Sequence, residues 1–322
     1  MPISKLHDLV KDELIAVDQL IQQQLSSQAA LTEELGKHIT QAGGKRLRPL
    51  LVLLGAALFD CRNEQAITLA AIIELTHTVS LLHDDVIDES SLRRGKKTAN
   101  AIWGNKASIL VGDFLYSRTY QLTVTLKNLI LLDMLAKTGM LITEGEVLQL
   151  QNCHNPDVTE NNYMQIITSK TGALFSAAAQ MGALLTERPP EEVAAMAAYG
   201  SHLGIAFQLI DDALDYCANP DQTGKNLGDD LAEGKTTLPL IYAMKVGNEA
   251  EKRLIQEAIR NGGPAPFEQI VKTIQSTGAL DIIRQRAKIE TQKAIEAISI
   301  FPDSIYRQAL LDLVAFALDR TF

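Results

Sequence analysis

The chain has 322 residues, of which 46% are hydrophobic and 21% charged, and its formal net charge is −9. This is the composition of a globular protein long enough to bury a large core. An acidic balance with only 5% aromatics argues against a general nucleic-acid binder, which needs a basic face and often stacking rings.

The N-terminus, MPISKLHDLVKDEL, has no apolar core of signal-peptide length. The most apolar run, Leu50–Phe59, is about half of the ~20 residues that a membrane span needs. Cys61, Cys153 and Cys217 form no CxxC pair and are odd in number, which suits a reducing compartment such as the cytoplasm. No Pro/Gly/Ser-rich linker divides the chain, so residues 1–322 are expected to form one domain.

Nearly every segment has helical periodicity. Leu6, Val10, Leu14, Val17, Ile21 and Leu25 step by threes and fours, predicting one amphipathic first helix. A shorter helix over Leu31–Thr40 stops at Gly43-Gly44. The basic cluster Lys45-Arg46-Leu47-Arg48-Pro49 then leads into an apolar helix. Glycines beside cations let backbone and charge approach phosphate oxygens, although a turn with a solvated basic cluster explains this stretch equally well.

A helix predicted over Glu64–Asp88 ends in LLHDDVIDESSLRRG. Residues four apart share a helix face, so His77, Leu81, Asp84 and Asp88 form one stripe with Ser80 beside it. Taken alone, this DDxxD reads most simply as a solvated acidic helix end, and a lone histidine as structural. Arg93-Arg94-Gly95-Lys96-Lys97 follows at once. The segments Asn105–Leu126 and Asn128–Asn152 are strongly apolar and predict helices buried in the core and in a contact between two copies of the chain. Thr159 is the expected cap of a helix through Leu185, with Lys170-Thr171 at its middle. Pro189-Pro190-Glu191-Glu192 starts a helix to about Tyr216, where a second DDxxD appears at Asp211, Asp212 and Asp215, preceded by Gln208. The polar stretch Cys217–Gly234, with Lys225, Asp229 and Asp230 and with Lys235 just beyond, has the length of a lid. The remaining segments to Leu318 read as amphipathic packing helices.

Two acid-rich helices facing one cavity gather up to six carboxylates, an arrangement that needs a cation. Oxygen-only ligands select a hard ion. Mg²⁺ in particular binds through one or two carboxylates and substrate phosphates. With the lysines and arginines nearby, the expected ligand is a diphosphate held between metal and basic residues, its departure eased by both. EF-hand spacing, a P-loop, a zinc cluster and a GxSxG elbow are all absent.

GGKRLRP, LLHDDVIDESSLRRG, SKTGALF and FQLIDDALD occur in that order and together resemble the trans-isoprenyl diphosphate synthases, over essentially the whole chain. The likeness is nearest to the bacterial long-chain members, with octaprenyl diphosphate the expected product and heptaprenyl, nonaprenyl or decaprenyl left open. It implies an all-α fold, a single large helical bundle around a deep central cavity, usually homodimeric. It also implies Mg²⁺-dependent elongation of an allylic diphosphate such as farnesyl diphosphate by isopentenyl diphosphate, supplying a quinone side chain such as that of ubiquinone. By this resemblance Asp84, Asp88 and Asp211 hold Mg²⁺, with Asp85, Asp212 and Asp215 supporting. Arg93, Lys170 and Lys235 contact the allylic diphosphate, Thr171 and Gln208 line the site, and Lys225 stands in the lid. Lys45, Arg48, His77 and Arg94 bind isopentenyl diphosphate. Loss of diphosphate gives an allylic cation, the isopentenyl double bond attacks it, and a proton passes to the departing diphosphate.

Ser80 lies about 6 Å below Asp84 along the helix. In the family a bulky aromatic just upstream of the first aspartate gives short products. Thr76–His83 contains none, so small Ser80 and medium Val79 predict an open tunnel and a long product, with its floor between Asn105 and Asn152. The intact basic and aspartate motifs weigh against a cyclising or head-to-head enzyme, a non-catalytic subunit and a metal-buffering helical protein.

Overall fold

The computed structural model describes residues 3–41, 43–93, 95–217, 227–262 and 266–319. Within them the regular structure is helical apart from one short hairpin. The stripe from Leu6 to Leu25 is broken: α1 spans Ile3–Asp8 and α2 Lys11–Gln24, because Val10 leaves helical geometry at φ −134°. Leu6, Val10, Val17, Ile21 and Leu25 are nevertheless all buried, since both pieces turn the same face inward. Next come α3 (Ala30–Thr40), α4 (Leu47–Leu58) and α5 (Glu64–Ile87). The Asn63 side chain caps α5 by accepting from the Ala66 amide, and Asp88 closes its other end.

After α5, β1 (Leu92–Arg93) and β2 (Lys96–Lys97) pair antiparallel as a short hairpin. Then follow α6 (Ala99–Trp103), α7 (Asn105–Thr125), α8 (Leu129–Asn152), α9 (Glu160–Ile167), α10 (Ala173–Leu185) and α11 (Pro190–Cys217). The expected helix from Thr159 to Leu185 is therefore two helices, joined by a π-helical turn at Thr168–Gly172. The C-terminal set is α12 (Asp229–Ala232), α13 (Leu238–Val246), α14 (Glu249–Asn261), α15 (Phe267–Ser276), α16 (Ala279–Ala297) and α17 (Ile305–Leu318).

Helix α5 packs on α4, α7 and α10, and α11 packs on α10 and α16. The α10–α11 contact is close because Gly200 has no side chain: a Cβ there would stand 2.3 Å from the Phe175 carbonyl oxygen. Among the described residues, two large clusters of buried apolar side chains meet along α11, and a small third one gathers Ala56, Cys61 and Ala66. Both aspartate-bearing helices, α5 and α11, are long and apolar enough to cross a membrane, but their apolar windows are 61% and 50% buried inside the bundle. Helices α7 and α8 are less covered than their apolar sequences predict for a core position. Leu110, Val124, Leu129, Ile130, Met140 and Leu150 are each more than 60% exposed and belong to this one pair.

Candidate active site

The C-terminal ends of α5 and α11 bring aspartates of both DDxxD motifs to one cavity of about 760 Å³. Asp84 lines it from α5, and Asp211, Asp212 and Asp215 line it from α11. Lys45, Arg48, His77, Ser80, Arg93, Lys170, Thr171 and Gln208 complete much of the wall. A neighbouring cavity of about 180 Å³ shares Asp84, Arg93, Lys170 and Asp212 and adds Asp88 and Lys235. Every site residue expected from the motifs lines one of the two cavities except four. Asp85 and Val79 line neither, being 1% and 7% exposed in the interior. Arg94 and Lys225 lie outside the described residues.

The two adjacent aspartates of each motif have different surroundings, as a 100° step per residue requires. Asp85 is turned inward, and its Oδ1 accepts from Arg93 Nε at 2.8 Å and Nη2 at 2.7 Å. Burial raises the Asp85 carboxyl above its usual range, with Arg93 opposing. The hairpin that carries Arg93 is tied down by Thr98 Oγ1 donating to the Ser90 carbonyl and by His38 Nε2 at 2.8 Å from the Lys97 carbonyl. In α11, Asp212 is the inward member at 4% exposed. It accepts from the Tyr163 hydroxyl at 2.6 Å and from Gln208 Nε2 at 2.7 Å. Burial and then Asp230 push its carboxyl up to about 8, against those two bonds. Thr171 Oγ1 donates to Gln208 Oε1 at 2.8 Å, so Thr171, Gln208, Asp212 and Tyr163 form one chain of bonds. Asp215 accepts from the amides of Gly228 and Asp230 and so anchors the start of α12 to α11.

Two buried lysines answer the first motif. Lys170 sits in the π turn, a feature frequent at functional sites. Gly145 of α8 lets this turn dock, since a Cβ there would stand 2.8 Å from the Lys170 amide nitrogen. Lys170 Nζ is 3.6 Å from Asp84 and 2.8 Å from Glu146. Lys235 Nζ is 2.9 Å from Asp88. Burial alone would lower both ammonium groups, but the surrounding carboxylates outweigh it and hold them above the usual lysine range. Glu146 is pushed up to about 6 by burial, with Lys170 opposing and Asp84 reinforcing.

The basic cluster is divided by its backbone. Arg46 is left-handed at φ 47°. Its guanidinium pairs with Glu74 at 2.5 Å and Asp18 at 3.2 Å and bonds the Thr40 carbonyl, tying α2, α3 and α5 together. Arg48 lies over the Phe175 ring, and Lys45 over the Phe316 ring of α17.

A divalent metal fits this donor set. The cavity-facing ligands are carboxylate oxygens, and among the described residues no three His, Cys, Asp or Glu side chains gather closely enough to hold an ion alone. Separate aspartate arms across a cavity suit a hard ion that completes its shell with substrate oxygens.

The comparisons agree with this geometry. The polyprenyl synthetase family model matches residues 29–275. The chain belongs to the polyprenyl synthetase family. It is 46% identical over 321 residues to the octaprenyl diphosphate synthase of Escherichia coli, covering 99% of both chains. It is 48% identical over 312 residues to the geranyl-diphosphate-specific all-trans-nonaprenyl-diphosphate synthase of Rhodobacter capsulatus, covering 97% of this chain and 96% of that one. A solved polyprenyl synthase from Caulobacter crescentus, complexed with calcium and isoprenyl diphosphate, superposes with a TM-score of 0.95 at 41% identity, covering 99% of this chain and 98% of that one. This member of the family is thus a prenyltransferase of isoprenoid biosynthesis, a long-chain trans-polyprenyl diphosphate synthase. The family's substrates are isoprenyl diphosphates, and its chemistry uses a divalent metal.

Motif reading missed several lining residues. Asp230 lines both cavities, and Tyr163 the smaller one. Glu146 lies in the C-terminal third of α8 beside Glu144, where nothing in the sequence sets it apart from a solvated acid.

Proposed function

We propose that the chain makes octaprenyl diphosphate from farnesyl diphosphate and isopentenyl diphosphate with Mg²⁺, as one domain in a cytoplasmic homodimer, and that the product supplies the ubiquinone side chain. One observation carries the site assignment: Asp84 from the first motif and Asp211, Asp212 and Asp215 from the second line one cavity together with Lys45, Arg48, Arg93 and Lys170. In this reading Asp84, Asp88 and Asp211 hold Mg²⁺, Asp215 supports them from the same arm, and Asp85 and Asp212 brace the two arms from inside. Mg²⁺, when bound, supplies the positive charge that makes diphosphate a leaving group. Arg93, Lys170 and Lys235 stabilise that diphosphate as it departs, while Thr171 and Gln208 orient it. Lys45, Arg48 and His77 hold isopentenyl diphosphate so that its double bond reaches the allylic carbon. Leu81, Ile142 and Phe207 provide apolar wall that keeps water from the cation. The departing diphosphate takes the proton. Ser80 lines the route of the growing chain, and the exposed apolar face of α7 and α8 is the dimer contact.

A nonaprenyl product is the second reading, favoured by the 48% identity to a nonaprenyl synthase. The test is one incubation of the purified protein with Mg²⁺, farnesyl diphosphate and labelled isopentenyl diphosphate, with sizing of the dephosphorylated products. A ladder ending at eight units supports the octaprenyl reading, and one ending at nine the alternative. No incorporation by folded protein would overturn both.

A further inference from the structure

Lys170 and Lys235 share an arrangement that binding a diphosphate does not by itself require. Each ammonium stands between one aspartate of the first motif and one glutamate from another element. Lys170 lies between Asp84 at 3.6 Å and Glu146 at 2.8 Å, and Lys235 between Asp88 at 2.9 Å and Glu233 at 2.5 Å. All six side chains are only 14–22% exposed. Neither glutamate belongs to a DDxxD. Glu146 Oε1 is moreover buried without a hydrogen-bond partner, a costly placement for a group whose only role is packing.

The charge around these lysines is lopsided. Lys170, Lys235 and Arg93 face Asp84, Asp85, Asp88, Asp230, Glu146 and Glu233. Around these three cations the six carboxylates are in excess, and both ammonium groups are already engaged. With the two glutamates neutral, this local balance would be four against three.

We propose that Glu146 and Glu233 are positioning residues that make diphosphate capture conditional on the metal. In the empty site they neutralise Lys170 and Lys235. When Asp84 and Asp88 turn to a metal, each lysine loses one partner and keeps the other, so its ammonium stays at the cavity wall and is released toward phosphate oxygens. This inference rests on the reading of the cavity as the allylic diphosphate site.

The test is calorimetric binding of inorganic pyrophosphate to the full chain, in EDTA and in Mg²⁺, for the parent and for E146Q, E233Q and the double variant, with thermal melts confirming that each is folded. The parent is expected to bind in Mg²⁺ and only very weakly in EDTA. Each substitution should tighten metal-free binding by about tenfold or more, and binding by the double variant should depend less on Mg²⁺ than binding by the parent. E257Q removes the same charge from an exposed position on α14 and should change neither quantity. Metal-free binding by the variants that is as weak as the parent's would overturn the inference. If the parent fails to bind pyrophosphate even with Mg²⁺, the reading of the site itself falls. The single variants carry the same test should the double variant not fold.

Discussion

Asp84 and Asp85 are neighbours in sequence, and their alanine variants should fail in different ways. Asp85 is 1% exposed, and its Oδ1 accepts two bonds from Arg93. Removing one member of such a buried pair costs about 3–5 kcal/mol when the other is left stranded. The Arg93 side chain is 19% exposed and lines the cavity, so part of its guanidinium regains water, and about 2–3 kcal/mol is expected for Asp85→Ala. Asp84 is different. It is 3.6 Å from Lys170, which keeps its shorter bond to Glu146, so Asp84→Ala should cost less than about 1 kcal/mol. Its loss falls on turnover, by about a thousandfold or more, since a ligand for the charge that stabilises the leaving group is gone. Urea denaturation followed by circular dichroism reads the first effect. Incorporation of labelled isopentenyl diphosphate reads the second. An Asp85→Ala protein as stable as the parent, or an Asp84→Ala protein with ordinary turnover, would refute the division of roles.

Ser80→Phe should place a ring in the cavity and shorten the product ladder. Val79→Phe should leave product length alone and instead overpack the core by about 1–3 kcal/mol, so equal products from both would remove Ser80 from the tunnel wall. Gly145→Ala drives a methyl against the Lys170 amide and Ser169, and it should weaken allylic diphosphate binding, seen as a raised KM, with the fold intact by circular dichroism. Burial would raise the Glu290 carboxyl, but bonds from His202 at 2.6 Å and Lys293 at 2.7 Å outweigh it and hold it below its ordinary value of 4.5. A depressed carboxyl stabilises the fold above the unfolded-state value, and that stability is lost as pH falls through the folded one. Glu290→Gln should therefore be less stable than the parent by about 1–2 kcal/mol at pH 7, with the gap closing below about pH 4.5. A gap that persists unchanged to pH 3 would contradict the pairing.

Helix limits were legible where a residue type forces them. Asn63, Asn128, Thr159 and Pro190 each stand at the start the sequence suggests. They failed where apolar periodicity runs through a break. Val10 remains buried across the α1–α2 turn, so the stripe gives no sign of it. The π turn at Lys170 was hidden for a related reason: one extra residue in a turn shifts the helix register without changing composition. The hairpin has two residues per strand, too few to show alternation. Of the site, the aspartates and basic residues were readable because their order and spacing are unusual. Glu146, Glu233 and Asp230 were not, since they belong to no recognisable spacing and take their place from what packs beside them.

The repetition of DD in both motifs has a geometric explanation. Consecutive side chains of a helix point about 100° apart and so meet different surroundings, whereas residues four apart share a face. Asp84 with Asp88, and Asp211 with Asp215, are therefore the members able to act together across the site. The second aspartate of each pair falls on the flank, where it would be a liability unless bonded. Here it is bonded in both arms, by Arg93 from the hairpin and by Tyr163 from α9 with Gln208. Each partner comes from, or connects to, an element that also lines the cavity. In each arm the more buried carboxylate thus fixes the frame for its neighbour. The two motifs resemble each other because the same helical constraint acts on both, while the partners differ because the elements packed beside them differ.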